Sequence, residues 1–240
     1  MRNVHRIGSI GILFCALMAQ ASSAAVIPSL FNTGVVANDA NGQPTSVILD
    51  NAPDPHYQLV GVPGGETDPP IPTQAIVVIQ GQFPFVNGPA VWAPDTATSK
   101  WIAPHGNENR PEAFGNGYDY RTSFDLTGFD PASARIQGNV YADNLLTGIE
   151  INGVLTGISG ATFTSGTPFA ISSGFISGMN TLDFLVQNNN DPLPNPTGVR
   201  VEMTGTATPE PGACAVALSV MCGFLLLRRR PSACAPNTQP

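Results

Sequence analysis

Short stretches in which apolar and polar residues alternate recur along the middle of this chain. In residues 118–126 the even positions are Tyr, Thr, Phe or Leu, and the odd positions are Asp, Arg or Ser. This period of two is typical of a strand with one buried face, because successive side chains point to opposite sides. The pattern recurs in residues 136–142, 182–186 and 199–203, and no long 3.6-residue period accompanies it. The sequence therefore predicts an all-β protein.

Further strand candidates lie at residues 45–49, 57–62 and 74–80. Asn152-Gly153, between two apolar segments, is typical of a type I′ hairpin turn, since both residues tolerate positive φ. Residues 131–134 could form one helical turn. Many short strands separated by Gly-rich and Pro-rich loops favour a β-sandwich, most simply a jelly roll, over residues 25–207.

Five short motifs follow one another in the second half of the body. They are Ser-Lys-Trp-Ile-Ala-Pro at 99–104, the strand at 118–126, Asp143-Asn144, Ile-Asn-Gly at 151–153 and Gly-Met-Asn-Thr-Leu-Asp-Phe at 178–184. This succession resembles the galactose-binding-like jelly roll over about residues 101–206. The resemblance implies a sandwich that serves as a sugar-binding domain, either free or attached to a glycosidase. Structural roles for Asn152-Gly153, Gly178, Asn180 and Asp143-Asn144 are the simpler interpretation.

The amino terminus has the three parts of a secretory signal. Arg2 and Arg6 are followed by an apolar stretch at 7–19 and by small residues at 21–25. This order predicts a signal peptide at 1–24, removed by signal peptidase near Ala24.

The carboxyl terminus carries a second processing signal. Pro209-Glu210-Pro211 precedes an apolar segment at 212–227 and then Arg228, Arg229 and Arg230. This arrangement, residues 208–230 with a short tail at 231–240, resembles the PEP-CTERM sorting signal of exported bacterial proteins. The resemblance implies a membrane helix at 212–227 that lies in the inner membrane until an exosortase-type protease cuts it. The body would then remain at the cell surface or in the extracellular matrix.

Charge and cysteine content narrow the partners of the body. Seventeen acidic residues lie between Asp39 and Glu210, against five basic ones, which leaves a net charge of −12. Such a surface repels nucleic acid and anionic lipid. All four cysteines lie outside residues 25–207, so the body can form neither disulfides nor thiolate metal sites.

Motifs of catalysis are missing from the body. It contains no Gly-x-Ser-x-Gly elbow, no His-Glu-x-x-His motif and no Gly-rich phosphate loop. Glycoside hydrolysis needs only two suitably spaced carboxylates. Asp119 with Asp125, and Asp143 with Glu150, keep that chemistry open, although exposed acids on a strand are the commoner arrangement.

Aromatic residues beside polar ones are the candidates for sugar binding, because sugar rings stack on flat aromatic faces. His56, Tyr57, Trp92, Trp101 and Tyr141 are the candidate residues. A place in the core is the alternative for each Trp, and Tyr118 and Tyr120 are assigned to the core.

The sequence establishes no cofactor, but it is compatible with a bound calcium ion. Residues 107–109 (Asn-Glu-Asn) and 188–191 (Asn-Asn-Asn-Asp) offer the carboxylate and amide oxygens that Ca²⁺ prefers. No spacing of the EF-hand type singles out individual ligands.

Together these features predict an exported, surface-sorted protein without catalytic activity that binds carbohydrate or forms part of the envelope matrix. Two alternatives remain: a structural surface protein without a ligand, and a glycan-active hydrolase.

Overall fold

All regular structure in the described part of the chain is β-strand. The computed structural model describes residues 23–64, 67–87, 91–110, 112–190 and 195–210. Within these residues no helix has the length and apolar character that a membrane crossing requires. Most of the predicted signal peptide and the predicted helix at 212–227, with Pro211 and the three arginines after it, lie outside the described residues.

Thirteen strands follow one another along the body. They are β1 (Ala25–Val26), β2 (Val35–Asn38), β3 (Pro44–Val47), β4 (Pro53–Gly61), β5 (Thr73–Val77), β6 (Ile102–Ala103), β7 (Gly115–Asp125), β8 (Phe129–Asp143), β9 (Leu145–Ile151), β10 (Val154–Leu155), β11 (Thr167–Ile171), β12 (Met179–Asn188) and β13 (Gly198–Pro209).

Eleven of these strands form a single antiparallel sheet. Its order is β10-β9-β12-β7-β4-β5-β6-β13-β8-β11, with β1 paired to β13, while β2 and β3 form a separate pair. The sheet curls back on itself, so that strands distant in this order face each other. Phe169 on β11 and Phe184 on β12 show the curl, because their ring centroids lie 6.2 Å apart.

The inward side chains of the curled sheet share one hydrophobic core. Burial of each large apolar side chain contributes about 1.5–3 kcal/mol relative to an exposed position. β7 contributes to this core through its alternating pattern. From Tyr118 onward, every second side chain of the strand is buried. Tyr57, Leu59, Tyr118, Tyr120, Phe124, Ile136, Val140, Leu182, Phe184 and Val201 are among its members.

The strands predicted from alternation are confirmed, with shifts of a few residues at their ends. The Asn152-Gly153 turn is confirmed as well, since φ is +52° and +76° at these two residues. The predicted helical turn at 131–134 is wrong. These four residues lie in β8 opposite the single residue Ala207, because Thr206 pairs with Arg135 and Thr208 with Asp130. They form a bulge, and Oγ of Ser133 accepts the N–H of Thr208 over 2.8 Å.

The last strand continues beyond the predicted end of the body at residue 207. Pro209 pairs with Phe129 on β8, and the N–H of Glu210 donates to the carbonyl of Gly128 over 2.8 Å. Pro209 and Glu210, the first two residues of the predicted sorting motif, are therefore attached to the sheet.

Candidate functional site

Three carboxylates are buried together at one end of the sheet. Glu108 and Glu112 lie in the connection between β6 and β7, and Asp143 is the last residue of β8. Their exposed fractions are 0%, 6% and 3%. Ionised carboxylates are costly to bury without partners. We call these three residues the carboxylate cluster and examine the partners of each.

Glu112 is paired with two cations. Its Oε1 lies 2.9 Å from Nδ1 of His105 and 3.1 Å from Nε of Arg110. Both cations also face Asp68, which lies 3.4 Å from Nε2 of His105 and 3.1 Å from Arg110. The hydrogen bond with Glu112 raises the pKa of His105. An imidazole whose two nitrogens both face carboxylates is suited to donating from both, as the protonated ring does.

Glu108 is the least compensated member of the cluster. Its Oε2 accepts the N–H of Thr197 over 3.0 Å, whereas its Oε1 has no hydrogen-bond partner among the described residues. Burial raises the pKa of Glu108 well above its usual range, and the charges of Glu112 and Asp143 add to the effect. Burial raises the pKa of Tyr120, and interaction with Glu108 adds to this effect. The Tyr120 hydroxyl also lacks a hydrogen-bond partner within the described residues.

Asp143 is held by an aromatic donor. Nε1 of Trp92 donates to Oδ2 of Asp143 over 2.8 Å. The Thr197 hydroxyl donates to the backbone carbonyl of Asp143 over 2.8 Å, so Thr197 contacts both Glu108 and Asp143. The connection between β12 and β13 is thereby attached to the end of β8.

Two asparagines complete the neighbourhood of the cluster. Asn188 ends β12, and its Nδ2 donates to the carbonyl of Ala113 over 3.1 Å. Nδ2 of Asn195 donates to the carbonyl of Asn189 over 2.9 Å. In both residues Oδ1 is buried and lacks a hydrogen-bond partner among the described residues.

The first predicted calcium loop contributes Glu108 to this cluster, and the second contributes Asn188, which is bonded to Ala113, the residue after Glu112. Glu108 of the first loop and Asn188 of the second are buried, whereas Asn107, Asn109, Asn189 and Asn190 are exposed. Asp191 lies outside the described residues. Sequence reasoning did not identify His105, Glu112 or Asp143 as members of the site. The spacing His-x-x-Glu-x-x-x-Glu was a signal for the first two, whereas nothing local connects Asp143 with them.

Three of the five aromatic candidates for sugar binding are core residues. Tyr57, Trp92 and Trp101 are 0%, 2% and 0% exposed, so none presents a face on which a sugar could stack. The indole rings stack on each other with centroids 4.1 Å apart, and Nε1 of Trp101 donates to the carbonyl of Ala93 over 2.8 Å. The prediction of these three as ligand platforms is wrong, because contacts from distant strands cover them.

The other two candidates are half-buried and already stacked within the protein. The ring of His56 lies parallel to that of Phe31, with centroids 3.6 Å apart. The Tyr141 ring packs against the guanidinium of Arg200, whose Cζ lies 4.1 Å from the ring centroid. His56 and Tyr141 therefore have one face occupied each, and the structure does not bring the five aromatic candidates together into one exposed platform.

One of the two carboxylate pairs considered for hydrolysis is too widely spaced for that chemistry. Asp119 and Asp125 are six residues apart on β7, a separation of about 20 Å at ~3.3 Å per residue, whereas the carboxylates of glycosidases lie about 5–9.5 Å apart. Asp143 is buried beneath Trp92, and Glu150 lies half-exposed on β9. Near Asp119, the carboxylate of Asp183 is fully buried and bound by Arg121.

A polar groove crosses the outer face of β8 and β13. Its volume is about 430 Å³, and its polar lining consists of Asn32, Gln43, Thr98, Gln137, Asn139, Glu202 and Thr204. Gln137 and Asn139 alternate with buried residues of β8 and are exposed. Glu202 is held in place because its Oε1 accepts hydrogen bonds from Thr96 and Ser99 over 2.8 and 2.7 Å. Sequence reasoning did not identify this groove, since its amides come from three separate segments.

The chain matches no protein-family model, no curated protein and no solved structure. Any assignment of function therefore rests on the structural observations above.

Proposed function

We propose that the body is a non-catalytic module that binds neutral polysaccharide in the polar groove. The observation that carries this proposal is the groove's lining of exposed amides and hydroxyls around one carboxylate, Glu202. Amide side chains donate and accept hydrogen bonds at once, as sugar hydroxyls do. None of the described residues that line the groove is cationic, which does not suit an anionic polysaccharide, and the net charge of −12 on the body acts against one as well.

We propose that the two predicted processing signals direct this module out of the cell. We propose that the signal peptide directs export and that the segment from Pro209 to Arg230 acts as a PEP-CTERM-like sorting signal, cut by an exosortase-type protease. The protein would then belong to the cell surface or extracellular matrix. We further propose that the curled sheet is a jelly-roll sandwich related to the galactose-binding-like fold. Its curl and the buried Asn180 at the predicted strand entry support this.

Binding of the purified full-length protein to a panel of neutral and acidic polysaccharides tests the groove. Each hydrogen bond contributes about 0.5–1.5 kcal/mol, so replacing both Gln137 and Asn139 by Ala should weaken binding roughly 5- to 100-fold. Both side chains are exposed, and the melting temperature should therefore stay the same. Gln58→Ala is the matched control, because Gln58 is an exposed amide on β4 that does not line the groove.

Three results would count against the proposal. Failure of the wild-type protein to bind any glycan would favour the structural alternative. Equal binding by the double variant and the wild type would place the ligand elsewhere. Release of reducing sugar from a bound polysaccharide would favour the hydrolase.

A further inference from the structure

We propose that the carboxylate cluster binds a calcium ion through Glu108 and Glu112, and that the ion joins the chain segments that meet at this end of the sheet. This inference uses none of the residues of the polar groove. The calcium proposal can therefore be wrong while the proposed glycan binding is correct, and glycan binding can be wrong while the calcium proposal is correct.

The spacing of the oxygen atoms suits one ion. Carboxylate oxygens of Glu108 and Glu112 and a ring nitrogen of His105 lie within 4.8 Å of one another. Two ligands of the same calcium ion, each about 2.3–2.6 Å from it, can be up to about 5 Å apart. Oε1 of Glu108 is fully buried, and no described residue offers it a hydrogen bond. A buried acceptor without a donor costs about 1–3 kcal/mol, and a cation would remove that cost.

Acidic side chains also outnumber basic ones around the cluster. Among the described residues, the acidic side chains of Asp68, Glu108, Glu112 and Asp143 lie around two basic ones, His105 and Arg110. Both basic side chains contact Glu112, and no described residue forms an ion pair with Glu108. A bound cation would therefore be stabilised most beside Glu108.

The donor set favours calcium over zinc. Both ring nitrogens of His105 are directed at carboxylates, Nδ1 at Glu112 and Nε2 at Asp68. Both ring nitrogens are thus already engaged within the protein, and the other donors of the cluster are oxygen atoms. Zinc sites use nitrogen or sulfur ligands in addition to oxygen, whereas Ca²⁺ is bound by oxygen alone.

Solvent reaches the edge of the cluster through a cavity. This cavity has a volume of about 400 Å³ and is lined by Asn51, Ile76, His105, Gly106, Asn107 and Arg110. His105 and Arg110, which both contact Glu112, are part of this lining, so the cavity reaches the side chains next to the cluster.

Calorimetry and thermal melting of the full-length protein test the proposal after treatment with EDTA and removal of the chelator. Addition of about 5 mM Ca²⁺, above the dissociation constants of roughly 10⁻⁴–10⁻³ M typical of extracellular calcium modules, should raise the melting temperature of the wild type. Glu108→Gln should weaken Ca²⁺ binding more than about tenfold, since residues that only support ligands already contribute about 10- to 100-fold. The Gln carbonyl can still accept the N–H of Thr197.

Glu150→Gln is the matched control. Glu150 lies half-exposed on β9 beside Asp183 and Asp119, so this variant removes the same charge from the other group of acids. It should bind Ca²⁺ as the wild type does. Loss of binding in Glu150→Gln but not in Glu108→Gln would overturn the assignment, and so would failure of the wild type to bind Ca²⁺.

Terbium provides a test that needs no variant. Tb³⁺ replaces Ca²⁺ in oxygen sites, and Trp92 contacts the cluster through Asp143. Excitation of tryptophan in the wild-type protein should therefore give terbium emission that Ca²⁺ reverses. Absence of this emission would contradict the proposal. Binding of Zn²⁺ in place of Ca²⁺, with loss of that binding in His105→Gln, would contradict it too.

Discussion

Nε1 of Trp92 lies 2.8 Å from Oδ2 of Asp143, and this hydrogen bond connects the buried tryptophan pair with the carboxylate cluster. A residue that the sequence offered as a sugar platform therefore serves as a donor to a buried acid. The contribution of this hydrogen bond to stability can be measured with tryptophan variants.

Replacing Trp92 by Phe keeps an aromatic ring against Trp101 but removes the indole donor. Hydrogen bonds to charged groups contribute about 1.5–3 kcal/mol, and the free energy of unfolding should fall by about that amount. Trp101→Phe removes a bond to the neutral carbonyl of Ala93 and should cost less, about 0.5–1.5 kcal/mol for the bond itself. Chemical denaturation compares the two variants, and a larger loss for Trp101→Phe would contradict the prediction.

Tyr118 and Tyr120 occupy the same face of β7 but differ in their hydroxyl groups. The hydroxyl of Tyr118 donates to the carbonyl of Ala113 over 3.0 Å, whereas that of Tyr120 has no partner among the described residues. Tyr118→Phe should therefore cost about 1 kcal/mol, and Tyr120→Phe should be neutral or stabilising. If Tyr120→Phe proved the more costly of the two, its hydroxyl would have a partner, such as a water or an ion in the cluster.

The stability of the body should increase as the pH falls from 7.5 to 5. Burial raises the pKa of Asp54 and of Asp95 to about 6, from 3.8. Because each of these pKa values is higher in the folded state than in the unfolded state, protonation favours folding. The stabilisation by protonation is fully present below about pH 3.8 and is lost as the pH rises through about 6. His105, whose pKa is also raised, acts in the same direction.

Asp95→Asn separates this effect from a general loss of negative charge. Oδ1 of Asp95 accepts the N–H of Trp101 over 3.0 Å, which an Asn carbonyl can also do. The variant should have a shallower dependence of melting temperature on pH between 5 and 7.5, while Asp130→Asn, at an exposed position, should keep the slope of the wild type. A wild-type melting temperature that falls between pH 7.5 and 5 would contradict the prediction.

Asn180 should be among the most sensitive polar residues of the body. Its Nδ2 donates to the carbonyls of Ile176 and Gly178, and its Oδ1 accepts from the N–H of Ile176 and from Nδ2 of Asn152. Asn180→Ala would leave several of these groups buried without a partner, and we expect a loss of about 2–4 kcal/mol in unfolding free energy. Asn116→Ala, at an exposed position on β7, should change it by less than about 0.5 kcal/mol. Similar losses for both variants would show that the network is not cooperative.

Much of the local structure was predictable, because it depends on neighbours in the chain. The alternation at residues 118–126 predicted β7 and the buried side of it, since a period of two places every second side chain on the same face. The hairpin turn was predictable because Asn152 and Gly153 tolerate positive φ by themselves. β11 was not predicted, because it has only five residues and Pro168 lies within it. Its pairing with β8 is visible only in the structure.

The sites were decided by tertiary structure. Thr197 contacts Glu108 across 89 residues of sequence, and Trp92 contacts Asp143 across 51. Sequence composition established that the body has no cysteine, which excludes thiolate chemistry there, and many acids, which act against binding of nucleic acid. Which acids are buried together, and which aromatics are covered, depends on how the sheet curls. The burial of a side chain is the sum of contacts from strands far apart in the chain, and no local pattern encodes that sum.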